Sequence, residues 1–294
     1  MAEQAFHVVM DAPMVQTLGD HLDLIPGVVV KQTTQVVDAV MSVVHGAYEA
    51  NSKFLVRALP ADKRPATVHG DPGSWLPTGA EIEGLLPVFY IEEDSSCCLR
   101  AILSVTGGLN LRALTLNFYQ GSQRSLVVQR PCRLGAMCFC PLQMRVIHEG
   151  QLVGMVEADC DSCSRCCWEH CCLCHFTHKV LVGSSRANMV HKYSLKNSNY
   201  CCCGRVNNCC GATCCRPNFF IDVVEPDGKL VSVIQKTFGG GKGCAACFRC
   251  VFDFNNYVLP FPPAATHLER LVLLTGLLSI NYAYHSRKGN LICT

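Results

Sequence analysis

The residues best equipped for chemistry in this chain are its 23 cysteines, gathered into a few short tracts. Cys160-x-x-Cys163-x-x-Cys166 runs on into Cys167, Cys171, Cys172, Cys174, His175 and His178. Cys201–Cys203, Cys209, Cys210, Cys214 and Cys215 form a second tract, and Cys244-x-x-Cys247-x-x-Cys250 a third. Thiolate and imidazole at such spacings suit a tetrahedral zinc ion, because two CxxC knuckles brought together supply four soft ligands. The spacings match no standard zinc finger. A zinc site would therefore be assembled from knuckles that meet across neighbouring loops, with Cys160, Cys163, Cys166, Cys244, Cys247 and Cys250 as its candidate ligands. The same thiols have two other uses, as small buried hydrophobes and, where exposed, as acceptors for lipid.

Other arrangements exclude themselves. Gly239-Gly-Gly-Lys-Gly243 has neither the upstream spacing of a phosphate loop nor a Ser or Thr after Lys242, and reads as a hairpin tip. No catalytic triad is suggested by position, and the chain is not read as an enzyme. The formal net charge is only +2 and no basic stripe stands out, so no nucleic-acid partner is expected. Met1–Met10 lacks the basic start and continuous apolar core of a secretory signal. The thiols are therefore expected to meet a reducing cytosol, where persistent disulfides are rare.

The elements that must position these tracts are mostly short strands. Leu24–Val30 reads as a strand interrupted by Pro26-Gly27. Thr33–Ala47 reads as a helix, with Val36, Val37, Val40, Val43 and Val44 on one face. Pro60, Pro65, Pro72 and Pro77 with three glycines mark residues 58–87 as a long inserted loop, of a composition that suits disorder. From Val88 onward apolar runs recur between turn residues: Val88–Ile91, Leu111–Tyr119, Ser125–Val128, Gln143–Ile147, Leu152–Glu157, Lys179–Gly183, Met189–Tyr193, Phe219–Val224 and Leu230–Lys236. Tyr119-Gln-Gly-Ser, Glu149-Gly and Pro226-Asp-Gly are hairpin turns. Such a series argues for an antiparallel barrel or sandwich.

The C-terminal stretch Leu271–Tyr284 carries no formal charge, and Glu269 and Arg270 stand just before it. It falls short of the roughly 20 apolar residues that span a bilayer. A helix apolar on all sides must be buried. A barrel with one hydrophobic helix through its middle meets both requirements.

Four landmarks in fixed order carry a family resemblance: Phe89-Tyr-Ile-Glu-Glu-Asp-Ser-Ser-Cys-Cys-Leu-Arg100, Gln129-Arg-Pro-Cys-Arg133, Cys138-Phe-Cys-Pro141 and Asp253-Phe-Asn-Asn-Tyr-Val-Leu-Pro-Phe-Pro262. Together they resemble the phospholipid scramblase family, over roughly residues 22–285, with 1–21 an irregular N-terminal segment and 286–294 a short tail. The family is similar in fold to tubby-like proteins. This implies a closed antiparallel barrel of about twelve strands around a buried C-terminal helix, here with one N-terminal helix besides. It also implies calcium-stimulated, ATP-independent, bidirectional movement of phospholipid between leaflets, at the cytosolic face of the plasma membrane. By position, Cys138 and Cys140, with Cys132 beside them, correspond to the family's S-palmitoylated cluster, and Asp253 and Asn255 to its one-loop calcium site. That loop has Val258 at its sixth position and Ala264 at its twelfth, so calcium affinity is expected to be weak. Two alternatives remain from other classes: a non-transporting tubby-like lipid-binding or scaffold protein, and a zinc- or thiol-dependent regulatory module.

Overall fold

The computed structural model describes residues 22–33, 51–68, 70–95, 113–132, 141–159, 177–196, 219–237 and 256–285. Twelve strands close into one antiparallel barrel in which each strand pairs with its sequence neighbours and β1 with β12. They are β1 (Gly27–Thr33), β2 (Lys53–Ala58), β3 (Pro87–Asp94), β4 (Leu114–Gln120), β5 (Gln123–Arg130) and β6 (Gln143–His148), followed by β7 (Gln151–Ala158), β8 (Thr177–Val182), β9 (Val190–Lys196), β10 (Phe219–Val224), β11 (Leu230–Thr237) and β12 (Asn256–Pro260). Closure leaves no unpaired sheet edge.

The expected strands from Val88 to Lys236 are all present, lengthened or shifted by one to a few residues. The three hairpin turns hold Gly121, Gly150 and Gly228 at positive φ, where a side chain would be strained. β1 starts after Pro26, whose ring leaves no N–H for the ladder. A Cβ on Gly27 would meet the Leu259 carbonyl oxygen at 2.5 Å, so β1 and β12 close the barrel where only glycine fits.

Two expectations need correction. Thr33 does not begin a helix: it ends β1 opposite Lys53, whose carbonyl accepts its hydroxyl at 3.2 Å. The rest of the expected N-terminal helix lies outside the described residues. The 58–87 insertion is ordered rather than structureless. Arg64 donates to both carboxylate oxygens of Asp71, at 3.0 and 2.8 Å, and to the Pro72 carbonyl. A short helix α1 (Gly79–Glu83) opens on a Thr78–Glu81 capping box. Ile82 and Leu59 pack on Val29 and Val258, which point outward from β1 and β12. Ala66 packs on Phe220 and Val233, and its N–H donates to the Gln235 side-chain oxygen at 2.9 Å. Counting Pro and Gly overlooks these few apolar anchors, which are enough to dock the segment onto the barrel wall.

The core is the lumen. Inward positions on the strands and nearly the whole of α2 (His267–Ile280) form one cluster, and Glu269 to Ile280 are all buried. Gly154 and Gly276 make room for this: a Cβ on Gly154 would strike Val272, and one on Gly276 would meet Leu195 at 2.6 Å. No helix among the described residues is long and apolar enough to cross a membrane. α2 therefore serves as the barrel's interior, as its length and uniform apolarity require.

Both ends of α2 are fastened. At its start Thr266 and Glu269 form a capping box. Arg270 donates to the carbonyls of Leu22, Ile25 and Ala265 and sits 5.3 Å from the Phe261 ring centroid. Lys192 pairs with Glu269 at 3.0 Å, and the Tyr193 hydroxyl faces the same carboxylate at 3.5 Å. Burial, then the Glu269 charge, push the Tyr193 phenol up to about 12. Its folded pKa is raised above the ordinary 10, so its contribution to stability is complete below pH 10 and is lost as pH rises to about 12. Tyr193→Phe should accordingly raise the alkaline unfolding midpoint followed by circular dichroism. An unmoved midpoint would assign the alkaline transition to other groups.

Candidate functional site

The direction of the strands gives the barrel two unlike ends. At the first, here the turn end, β4–β5 and β6–β7 are joined by two-residue turns at 121–122 and 149–150, and β8–β9 and β10–β11 by short loops at 183–189 and 225–229. The 59–86 insertion also leaves from this end and folds back on the wall. At the second, here the connection end, the strands are joined through 34–52, 95–113, 131–142, 159–176, 197–218 and 238–255. α2 enters from the turn end, and its last residues lie at the connection end, where Asn281 meets Tyr257 and Tyr282 meets Glu93.

Of the expected site residues, Cys132 is described. It is a free, exposed thiol just beyond β5, at the connection end. Cys138 and Cys140 lie outside the described residues, as do Cys160, Cys163, Cys166, Cys244, Cys247 and Cys250, and Asp253 and Asn255. Among the described residues no group of three or more His, Cys, Asp or Glu is placed to hold a metal ion.

The expected calcium loop meets a structural obstacle. Its middle, Asn256–Pro260, is β12, hydrogen-bonded to β1 on one side and β11 on the other. Val258, the loop's sixth position, is fully buried beneath the insertion. A strand held on both sides cannot wrap its carbonyls around an ion. The Asn256 side-chain oxygen is buried without a hydrogen-bond partner, directly opposite Thr237, whose hydroxyl is in the same state. Both of these oxygens are neutral, and a calcium ion wants six to eight oxygens with several carboxylates among them. The described residues do not fit calcium. Calorimetric titration of the full chain should show no site tighter than about 10⁻⁵ M, the sensor range. Tighter binding abolished by Asp253→Ala would overturn this.

What the sequence reading missed is a polar cluster at the connection end of the lumen. Gln32, Glu93, Arg130, His178 and Lys236 each stand two residues along a strand from an inward apolar residue, and each is buried. Glu93 accepts from the Tyr282 hydroxyl at 2.9 Å and from the Ser52 N–H at 3.2 Å. The Arg130 guanidinium lies 6.0 Å from the Tyr282 ring centroid. His178 Nδ1 and the Ser279 hydroxyl are 3.3 Å apart, and the Tyr257 hydroxyl donates to Asn281 at 2.7 Å. Buried charges persist only when paired, and cations suit the partly negative C-terminal end of a helix. The cluster fastens the end of α2 in place. Strict two-residue alternation running into a charged residue was the available signal.

At the turn end a cleft of about 300 Å³ is lined by Pro26, Leu59, Pro60, Lys63 and Pro260, with Arg64 at its side. The Arg64 guanidinium is already engaged by Asp71 and Pro72, so the cleft offers few convergent polar groups. Neither it nor the filled lumen has the character of a catalytic pocket.

No curated protein matches the chain. A family model described as Scramblase matches residues 157–287, which run from the end of β7 through β8–β12 and the whole of α2. Over those five strands and the helix the barrel encloses, the chain is similar to the scramblase family, a family of lipid translocators rather than enzymes.

Proposed function

We propose that the protein is a membrane-associated phospholipid scramblase of the cytosolic face of the plasma membrane, moving phospholipid in both directions without ATP. The observation that carries this is the family match across the enclosed helix and five strands of its wall. Acylation of Cys138 and Cys140, with Cys132 as a further acceptor, is the anchor in this reading. Two acyl chains hold a protein stably at a bilayer where one does not. Calcium is at most a weak effector. Zinc held by Cys160, Cys163, Cys166, Cys244, Cys247 and Cys250 is an independent structural proposal, tested by elemental analysis of the purified chain.

The filled lumen shapes the mechanism. With α2 packed along it and both its ends fastened, no headgroup passes through the closed barrel. Lipid must then cross along the outside of the barrel, by perturbing the leaflet in which the protein is anchored. The same filled lumen favours a second reading, a tubby-like protein that binds lipid or scaffolds partners without moving lipid.

One assay separates the two. The purified chain is reconstituted into vesicles with fluorescent phospholipid in both leaflets, and dithionite is added outside. Movement between leaflets bleaches nearly all the fluorescence. A plateau near half, equal to protein-free vesicles and unchanged by calcium, would leave the second reading.

A further inference from the structure

The 59–86 insertion meets the outer face of β1, β2 and β12 with two adjoining residues of opposite character. Ile82 is fully buried and packs, with Leu59, on Val29 and Val258. Its neighbour Glu83 pairs with Lys31, whose Nζ also donates to the Gly79 carbonyl at 3.4 Å. The strand registers set Lys31 opposite Leu55 and Val29 opposite Arg57, with Val258 on the other side of Val29. Two cations therefore flank one apolar spot on a single face of the wall.

Other cations of the wall find partners within the barrel or just beyond a strand. Lys53 pairs with Glu92, Lys179 with Asp159 and Lys192 with Glu269. Lys31 and Arg57 take theirs from the insertion, Arg57 by donating through Nη1 to the Leu85 carbonyl at 3.3 Å. Arg57 Nε is buried without a hydrogen-bond partner. Burial disfavours the Arg57 charge, and the Glu83 carboxylate is the charge that opposes this. Two further donors of this interface are in the same state: Trp75 Nε1, on the insertion, and Nε2 of the fully buried Gln235, opposite Val258 on β11. Buried donors without acceptors weaken the seat of the insertion. The Lys31 side chain is 18 % exposed and that of Glu83 60 %, so the cation belongs to the wall and the anion meets water. An ion pair with one partner so exposed holds weakly.

A carboxylate beside a hydrocarbon side chain has the character of a phospholipid, in which an anionic headgroup is joined to acyl chains. We propose that Ile82-Glu83 is an internal stand-in for an anionic phospholipid, and that Lys31, Arg57, Val29 and Val258 form a phospholipid site that opens when the insertion lifts. Lys31 and Arg57 then hold the headgroup phosphate, and an acyl chain lies along Val29 and Val258. A guanidinium fork suits phosphate, and the unpartnered Arg57 Nε gains an acceptor there. Lipid and insertion compete for the same residues, so lipid shifts the insertion toward release in proportion to its preference for the open form. The inference rests on the membrane-associated reading above and adds where on the outside of the barrel lipid is held and what keeps that place shut.

The test places the full chain, recovered from eukaryotic membranes, on phosphatidylcholine vesicles with or without phosphatidic acid. Deuterium uptake is read for peptides covering 76–86, and membrane association by flotation. Uptake should rise severalfold with phosphatidic acid and keep its lipid-free level with inorganic phosphate alone, which cannot replace Ile82. Glu83→Gln should raise flotation with the anionic vesicles severalfold. Lys31→Glu combined with Glu83→Lys keeps the ion pair in reversed sense and should abolish the rise in uptake. Arg145→Gln, which removes an exposed cation of β6 across the barrel, should leave it unchanged. Uptake that ignores phosphatidic acid in protein that floats overturns the site while leaving membrane association standing. An equal rise with inorganic phosphate overturns the lipid in favour of a free anion, and a rise retained in the charge-reversed variant overturns the role of Lys31. Protein that floats with vesicles of neither composition would overturn the membrane reading itself.

Discussion

Leu274→Lys should leave the chain without a folded barrel. Leu274 and Leu277 are fully buried in the lumen, on a helix whose residues from Glu269 to Ile280 are all buried. A lysine there must either lose its proton or remain charged among hydrocarbon. An unpaired buried charge costs several kcal/mol, much of the 5–15 kcal/mol that typically separates folded from unfolded chains. The buried side-chain volume of Leu274 is also exchanged for a longer chain that must find space in a packed interior. Leu277→Lys should behave in the same way. Leu274→Met, which keeps the apolar volume, should cost less than about 1.5 kcal/mol and remain folded. Circular dichroism and size exclusion of the purified variants decide the matter. If either Lys variant were soluble and as stable as the parent, α2 would not be the core of the barrel in solution.

The second large effect concerns attachment. Membrane association should be lost in the Cys138→Ser, Cys140→Ser double variant, and lost from the unaltered protein on hydroxylamine treatment, which cleaves thioesters. The structure sharpens this expectation, because α2 is inside the barrel and so does not serve as a hydrophobic anchor there. Each single variant should partition partially, since one acyl chain binds a bilayer only marginally and reversibly. Adding Cys132→Ser, at the exposed thiol beyond β5, should remove any residue of attachment left by the double variant. Membrane pelleting of cell extracts measures all of this. Full attachment of the triple variant after hydroxylamine would mean that something other than these thioesters holds the protein, with release of α2 from the barrel as the first alternative to examine.

Much of the fold was legible because the signals were local. Alternation along Phe219–Val224 and Leu230–Lys236, glycines in the turns at 121, 150 and 228, and the uncharged run from Leu271 each report their own element without reference to distant residues. β2 and β12 were harder. Lys53–Ala58 is six residues long, and the Asn256–Pro260 strand sits inside a stretch whose acidic and amide residues suggest a loop. The insertion was misjudged because Ile82, Trp75 and Ala66 are isolated apolar residues in a Pro- and Gly-rich context, and their value lies in the outward-facing patches of Val29, Val258, Phe220 and Val233 that they cover.

By itself the sequence determined that this protein is built of short antiparallel strands around one uncharged C-terminal helix, with a family likeness carried by ordered landmarks. Those properties are set by periodicity and composition, which act over a few residues at a time. Only the tertiary structure decided two things: that Asn256–Pro260 is a ladder strand hydrogen-bonded on both sides, and that the buried Glu93, Arg130 and His178 lie against the end of α2 and the residues just after it. Each depends on closing the barrel, because closure is what brings β12 against β1 and wraps the wall around α2.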